Sequence, residues 1–403
     1  VAGSAIDVFT DFVLSTGPAF LTGPEDIVND AVKNTYTLPR FIFGKTMREM
    51  VQGGNSVKDN IFLGVDSNSA NYKPNAEFNY RNPQVLSQWS IPWRFTKDEM
   101  VWTDHEIGLN VGEMSQGARI QKFKDIKYSK EMNLYTGLLK FIDDQFWAGP
   151  DVAEMEASDG ETPYTLNAFI TENGSADLPN TAQFGTVPLN GPDATAWTTV
   201  MGIAPASKPN WRNAVELYGV VGPLSGDTGS NATTHLFRAM SRGYFRVRFD
   251  QVPKYPRISD PASVPSFYAT SLWGVGIYES ALRQGQDTFV WTGRQDPAFG
   301  SPTFRGVEIV YISDLDTAAL YAGAAGALAT EVTATLNGPR YYGINGQFML
   351  KTIHRDRYFY KKAPFSPSKQ PYTHIMIVDM WHNNVCRSRR RHVQVSPSAT
   401  AFA

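Results

Sequence analysis

The residues of this chain that could do chemistry fall short of every arrangement that does it. His105-Glu106 opens like the zinc-protease pattern, in which two histidines four apart on one helix face hold the metal, but Leu109 stands where the second must be. Gly44-Lys45-Thr46 matches the end of a phosphate-cradling loop, with Pro39 in place of its first glycine. Gly274-Val275-Gly276 lacks the third glycine of a dinucleotide fingerprint, where Glu279 stands. Ser225, in Gly222-Pro223-Leu224-Ser225-Gly226, misses the spacing of a nucleophile elbow. Chance accounts for these near misses, so the expectation is a protein with no catalytic residues, cofactor or metal.

The remaining polar groups point to pairing. His374 and His382 lie roughly 27 Å apart if both are on one strand, too far to share a metal. His382 and Cys386 could meet on a helical turn, but two ligands do not make a site. Asp143 and Asp144 diverge by about 100° on a helix, so they are not an acid/base pair. Carboxylates in a last helical turn oppose the helix dipole, which predicts a basic partner from this chain or from a second copy. Arg387, Arg389 and Arg391 are read as one face of a strand with Arg390 opposite. A solvated face, salt bridges to another subunit and contact with nucleic acid all remain open for them, since the guanidinium fork suits carboxylates and phosphates alike.

The elements that must position these groups begin with a proline-free stretch from Arg94 to Gly149. Leu134/Tyr135, Leu138/Leu139, Ile142 and Phe146/Trp147 follow a helical repeat with one buried stripe. Extended back through Ile120 and Phe123, the helix runs for about 25–30 residues, roughly 40 Å. Before it, Trp89, Ile91, Trp93 and Phe95 alternate with polar residues as in a strand, which Pro92 confines to a sheet edge or an extended arm. Thr96-Lys97-Asp98-Glu99 reads as a turn and Met100-Val101-Trp102 as a second strand. Thr162–Leu166 with Ala168–Ile170 reads as a short strand, Ala232–Tyr244 as helical, and 253–315 as short strands and turns in a mixed α/β domain. Within that domain Thr288–Trp291 and Val307–Tyr311 are the strand candidates. Ala318–Ala334 is a weak helix or a surface loop, and Gln347–Ile353 and His374–Trp381 are longer strands.

Composition narrows the classes. At 403 residues and 42% hydrophobic, the chain can bury a large core. A net charge of −2 excludes a protein that works mainly by neutralising phosphates. The single cysteine excludes an internal disulfide framework. The first 32 residues hold no Lys or Arg and no apolar run approaches a membrane span, so the chain reads as soluble and cytosolic at synthesis. Residues 1–40 are acidic, with Asp7 and Asp11, and broken by Gly-Pro pairs; 41–98 are basic, with Arg81 and Arg94, and rich in Asn, Gly and Ser. An arm and a loop of opposite charge would pair head to tail between copies, or each would simply be solvated.

The order of these features resembles the major capsid proteins of tailed double-stranded DNA bacteriophages. The likeness rests on the arm, the return strand Trp89-Ser90-Ile91-Pro92-Trp93-Arg94-Phe95, the helix ending Phe146-Trp147-Ala148-Gly149-Pro150, and Pro209-Asn210-Trp211-Arg212-Asn213. It implies an α+β fold with an N-terminal arm at 1–42, an extended β-hairpin loop at 43–105, a peripheral domain with a long spine helix at 106–210, an axial domain at 211–338, and return strands of the peripheral domain at 339–403. It also implies a virion shell of hexamers and pentamers, assembled in the host cytoplasm with a scaffolding protein and a portal. A decoration or cement protein and weak inner-surface contact with packaged DNA complete the implied partners. Asp7, Asp11, Arg81, Arg94, Asp143, Asp144, Arg387, Arg389 and Arg391 are the candidate inter-subunit contacts. Two other readings compete: a nanocompartment shell of the same fold, and a β-rich carbohydrate-binding protein or glycosidase, which would need paired carboxylates about 5–10 Å apart that no motif nominates.

Overall fold

The computed structural model describes residues 48–63, 86–106, 116–148, 161–170, 184–185, 199–204, 208, 210–219, 234–248, 265–288, 302–315 and 339–397. The N-terminal arm with Asp7 and Asp11, the loop tip with Arg81, and the Ala318–Ala334 segment lie outside them. Two compact units divide the described chain, one built on 96–142 with 356–380 and the other on the rest.

In the first unit the helix α1, Gln116–Ala148, is the dominant element, and its last six residues belong to the second unit. Leu134, Leu138 and Ile142 are buried at four-residue spacing, and Phe146 and Trp147 continue the stripe, as its periodicity predicts. Polar contacts fasten the same helix: Lys130 Nζ donates to Val101 O (3.0 Å) and pairs with Glu106 (2.8 Å), and Glu131 pairs with Lys361. Tyr135 meets Phe359 edge to face. The strand β4, Arg94–Thr103, enters this unit, as does the first half of β13, Thr373–Cys386, which pairs antiparallel with β12, Tyr360–Lys361.

Strand β4 overturns two expectations. The run Thr96–Glu99 is not a turn, because its polar residues fall in step with the pleat: Arg94, Thr96 and Met100 are buried while Phe95, Lys97, Glu99 and Val101 face outward. The alternation also slips at Trp93, which stands between β3, Leu86–Pro92, and β4. Trp89, Ile91 and Trp93 are buried, but the slip turns Phe95 out, 63% exposed, and Arg94 in.

In the second unit, β2, Ser56–Phe62, and β3 form a two-stranded antiparallel hairpin with Ser56 opposite Pro92 and Phe62 opposite Leu86. Pro92 closes the ladder at its end, where a missing N–H is harmless. Strand β1, Arg48–Val51, runs parallel to β11, Met349–His354, which pairs antiparallel with the second half of β13. A seven-stranded sheet has the order β5-β6-β14-β10-β7-β9-β8. Its strands are β5 (Phe184–Gly185), β6 (Asn213–Tyr218), β7 (Phe267–Thr270), β8 (Thr303–Phe304), β9 (Val307–Tyr311), β10 (Tyr341–Ile344) and β14 (Val393–Pro397). Leu166–Phe169 forms a helical turn, α2, rather than a strand. Helices α3, Leu236–Val247, and α4, Leu272–Thr288, share a core with the sheet through Leu236, Met240, Tyr278, Tyr341 and Val393.

Three further expectations change here. Helix α4 occupies sequence read as strands and turns, and it includes Thr288. Strands β10 and β14 hydrogen-bond to β7 and β6, so residues 339–403 do not return as a block to the helix-bearing domain. His382 and Cys386 lie on strand β13 instead of a helical turn.

Candidate functional site

Between β13 and β14 the chain tightens into one 3-10 turn, Arg389–Arg391, closed by Arg391 N–H to Ser388 O (3.3 Å) and His392 N–H to Arg389 O (3.1 Å). The arginines are therefore not strand neighbours on alternating faces. Consecutive residues of such a turn diverge by about 120°, and each goes its own way. Arg389 is fully buried, donating from Nε to Phe169 O (2.8 Å) and from its two terminal nitrogens to Trp211 O (3.1 Å) and Asn213 Oδ1 (3.2 Å). Arg390 donates to Asn210 Oδ1 (2.9 Å), and Arg391 lies 4.9 Å from the Phe348 ring. Arg387 pairs with Glu49 at 2.5 Å on the half-exposed edge.

The Asn210-Trp211-Arg212-Asn213 motif supplies the other half of this node. Asn210 donates to Leu63 O (2.7 Å), and the fully buried Trp211 indole donates to Val200 O (3.1 Å). Burial pushes Arg389 down to about 10. A buried guanidinium that donates to two backbone carbonyls and a side-chain amide oxygen acts as a structural cation, satisfying chain segments that would otherwise bury orphan acceptors.

A second polar layer lies between β11 and β13. Asn383 Oδ1 accepts from Tyr164 N (2.9 Å) and its amide donates to Pro92 O (2.7 Å), tying the segment before α2 and the end of the hairpin to β13. Asn384 accepts at Oδ1 from Lys351 Nζ (3.2 Å) and donates to Tyr164 O. Lys351 is buried and held down to about 7 by burial, partly offset by the Asp143 carboxylate. That places the predicted basic influence on Asp143 within its own chain.

His392 is buried in the same unit, its Nδ1 accepting from Asn345 N (3.1 Å). Burial, with Arg389 adding to it, pushes this ring from 6.5 down to about 3. A depressed folded value means stability that is present above the unfolded value and lost as acid titrates through the folded one. The window runs from about pH 6.5 to about 3 and is worth roughly 4–5 kcal/mol. Thermal melts across that range will fall with acid, and His392→Asn, which keeps an acceptor near Nδ1 but cannot titrate, will flatten the fall. An unchanged pH slope in that variant would remove His392 from the account.

The predicted contact residues divide by position. Arg94, Asp143 and Arg389 are buried within the chain. Asp144 and Arg391 are partly buried, while Arg387 remains accessible at 41% beside Glu49. In the first unit the structure also shows an array the sequence reading missed. His374 bridges Ser366 Oγ (3.0 Å) and Asp104 (2.9 Å) and stacks on Trp102. Asp104 is 54% exposed, so water competes for these bonds; the array fastens a surface rather than preorganising a nucleophile. Among the described residues no group of three His, Cys, Asp or Glu could hold a metal, and no helix is long and apolar enough to cross a membrane.

By sequence the chain matches no family model and no curated relative. By structure it superposes on the subunit in the capsid of a native GTA particle with a TM-score of 0.52 at 11% identity, over 99% of this chain and 100% of that one. This chain has the capsid-subunit fold. Subunits of the bacteriophage PhiM1 mature capsid (TM-score 0.48, 11% identity, 94% and 92% covered) and of the cyanophage A-1(L) capsid (0.47, 12%, 94% and 99%) are also among the matches. The two buried polar nodes thus fasten the elements of the fold to one another within the second unit.

Proposed function

We propose that this chain is a structural shell protein, copies of which assemble as hexamers and pentamers of an icosahedral virion capsid around double-stranded DNA. The observation that carries this reading is the end-to-end match to a capsid subunit, spanning 99% of one chain and 100% of the other. Exposed apolar side chains support it. Leu86, Phe95, Phe245, Leu272 and Trp273 in the second unit, and Phe141 and Tyr372 in the first, are each more than half exposed, which lateral contacts between copies would relieve.

In this reading the acidic arm 1–42 and the loop 43–105 lie on neighbouring copies, and Arg81, Asp7, Asp11, Asp144, Arg387 and Arg391 remain the charged contacts. The helix-bearing peripheral domain takes in 106–210, and the axial domain takes in 211–338 together with β10 and β14. A scaffolding protein and a portal guide assembly in the host cytoplasm, and a decoration protein and the genome are further partners. The role is structural rather than enzymatic. Electron microscopy of the purified full-length chain in negative stain, alone and with a scaffold, tests this. Closed particles or capsomer rings are expected; a monodisperse monomer under both conditions overturns it.

A further inference from the structure

The tight turn between β8 and β9 holds a residue that its backbone does not favour. Arg305 (φ 51°) and Gly306 (φ 80°) are its two central positions, a left-handed pair that Asn-Gly fills most comfortably. A long side chain in that conformation costs stability, and such outliers mark places where something else is gained. Here the gain is position. The guanidinium lies 4.8 Å from the Phe245 ring, 5.7 Å from Tyr244 and 5.8 Å from Phe304, and it donates to Ser241 Oγ (3.3 Å). The turn thus lays a cation across the exposed face of α3.

That face is already basic. Between Leu236 and Val247 the helix has three arginines and no carboxylate, and Arg248 caps its end. Arg238, Arg242 and Phe245 recur at helical spacing and form one stripe, with steps of about 6 Å. Arg238 and Arg248 are exposed, Arg242 is half-buried, and Phe245 is 53% exposed among them. Arg246 turns inward and pairs with the buried Glu216 at 2.6 Å. Burial raises Glu216 to about 7 against the opposing pull of Arg246 and Arg242, so the carboxylate beneath the helix is a weak counter-charge at neutral pH. Arg242 also adds to the burial that lowers Arg246, which shows cations crowded on one another.

We propose that this stripe binds single-stranded nucleic acid. Arginine forks take phosphate oxygens, and a phenyl ring flanked by them offers an unpaired base a face to stack on. A carboxylate-rich peptide would satisfy the arginines but leave Phe245 unused. A second copy presenting the same face would meet like charge. A duplex keeps its bases inside the stack, out of reach of the ring. The binding is independent of shell assembly and needs only a folded chain, so its test and the microscopy succeed or fail separately.

Fluorescence anisotropy of the full-length chain with a labelled oligo(dT) of about 20 nucleotides, titrated at several salt concentrations, reads the outcome. Binding is expected to weaken with salt and to be about tenfold or more tighter than to a duplex of the same length. Phe245→Ala is expected to loosen the single strand about tenfold and leave the duplex unchanged. Arg242→Gln will loosen it about fivefold at about 0.1 M salt, the share of one phosphate contact. Arg305→Asn will loosen it similarly while the melting temperature holds or rises, because Asn-Gly suits the turn; this separates a binding role from a structural one. No detectable binding by a chain that melts cooperatively overturns the proposal, as does unchanged affinity in the two arginine variants. Equal affinity for the duplex overturns the single strand as ligand. Displacement by polyglutamate of matched charge as readily as by unlabelled oligo(dT) overturns the proposal and points to an acidic protein partner.

Discussion

Arg389→Ala will remove about 4 kcal/mol or more of stability, enough to leave the protein largely unfolded or aggregated on expression. The cost comes less from the bonds lost than from the acceptors abandoned. Phe169 O, Trp211 O and Asn213 Oδ1 all lose their shared donor in a site closed to water. Domain stability is only about 5–15 kcal/mol in total, so a loss of this size is decisive. Arg389→Lys will not restore the fold, because an ammonium on a flexible stem cannot match three acceptors spread around a planar fork. Denaturant unfolding of any soluble fraction checks both; a lysine variant within about 1 kcal/mol of wild type would contradict the geometric account.

The second large effect is expected at Gly343, on β10. A Cβ added there would sit 2.5 Å from Val393 Cγ1 and 2.8 Å from Tyr268 Cε1, both inside the core. Neither neighbour can swing away, since β14 and β7 flank β10 on its two sides. Gly343→Ala will therefore cost about 3 kcal/mol by overpacking. Val393 also closes on Gly243 of α3, where an added Cβ would meet it at 2.6 Å. Trimming it in Gly343→Ala/Val393→Ala should recover part of the loss, and a double-mutant cycle by thermal denaturation measures the coupling. Additive effects of the two substitutions would show that the clash is not where the distances put it.

What the sequence disclosed and what it hid follow from the range of the forces involved. The stripe of α1 was legible because Leu134, Leu138, Ile142 and Phe146 repeat along one helix and need no knowledge of their partners. The runs that became β9, β11 and β13 were legible for the same reason, β9 with its exact bounds and the other two with boundaries off by a few residues. Helix α4 was not, because Gly274 and Gly276 argue against a helix locally. The structure supplies the tertiary cause for one of them: a Cβ at Gly274 would lie 2.0 Å from Thr270 Oγ1, so only glycine lets the helix start there. Arg389 was misplaced for a related reason. A run of arginines reads as surface, and its burial rests on Trp211 and Phe169, which are 178 and 220 positions away. The phase slip at Trp93 was equally invisible, since alternation carried unbroken through Phe95 in the residue types.

Strand β14 lies inside the seven-stranded sheet, between β6 and β10, yet it is the last strand in chain order among the described residues. A ribosome delivers it about 175 residues after β6. Until then β6 has no partner on that side and the core around Val393 stays open. The protein thus carries a built-in delay: no nascent chain can complete its principal sheet before synthesis has reached Pro397. On the shell reading proposed above, late closure makes folding itself the timer of assembly competence.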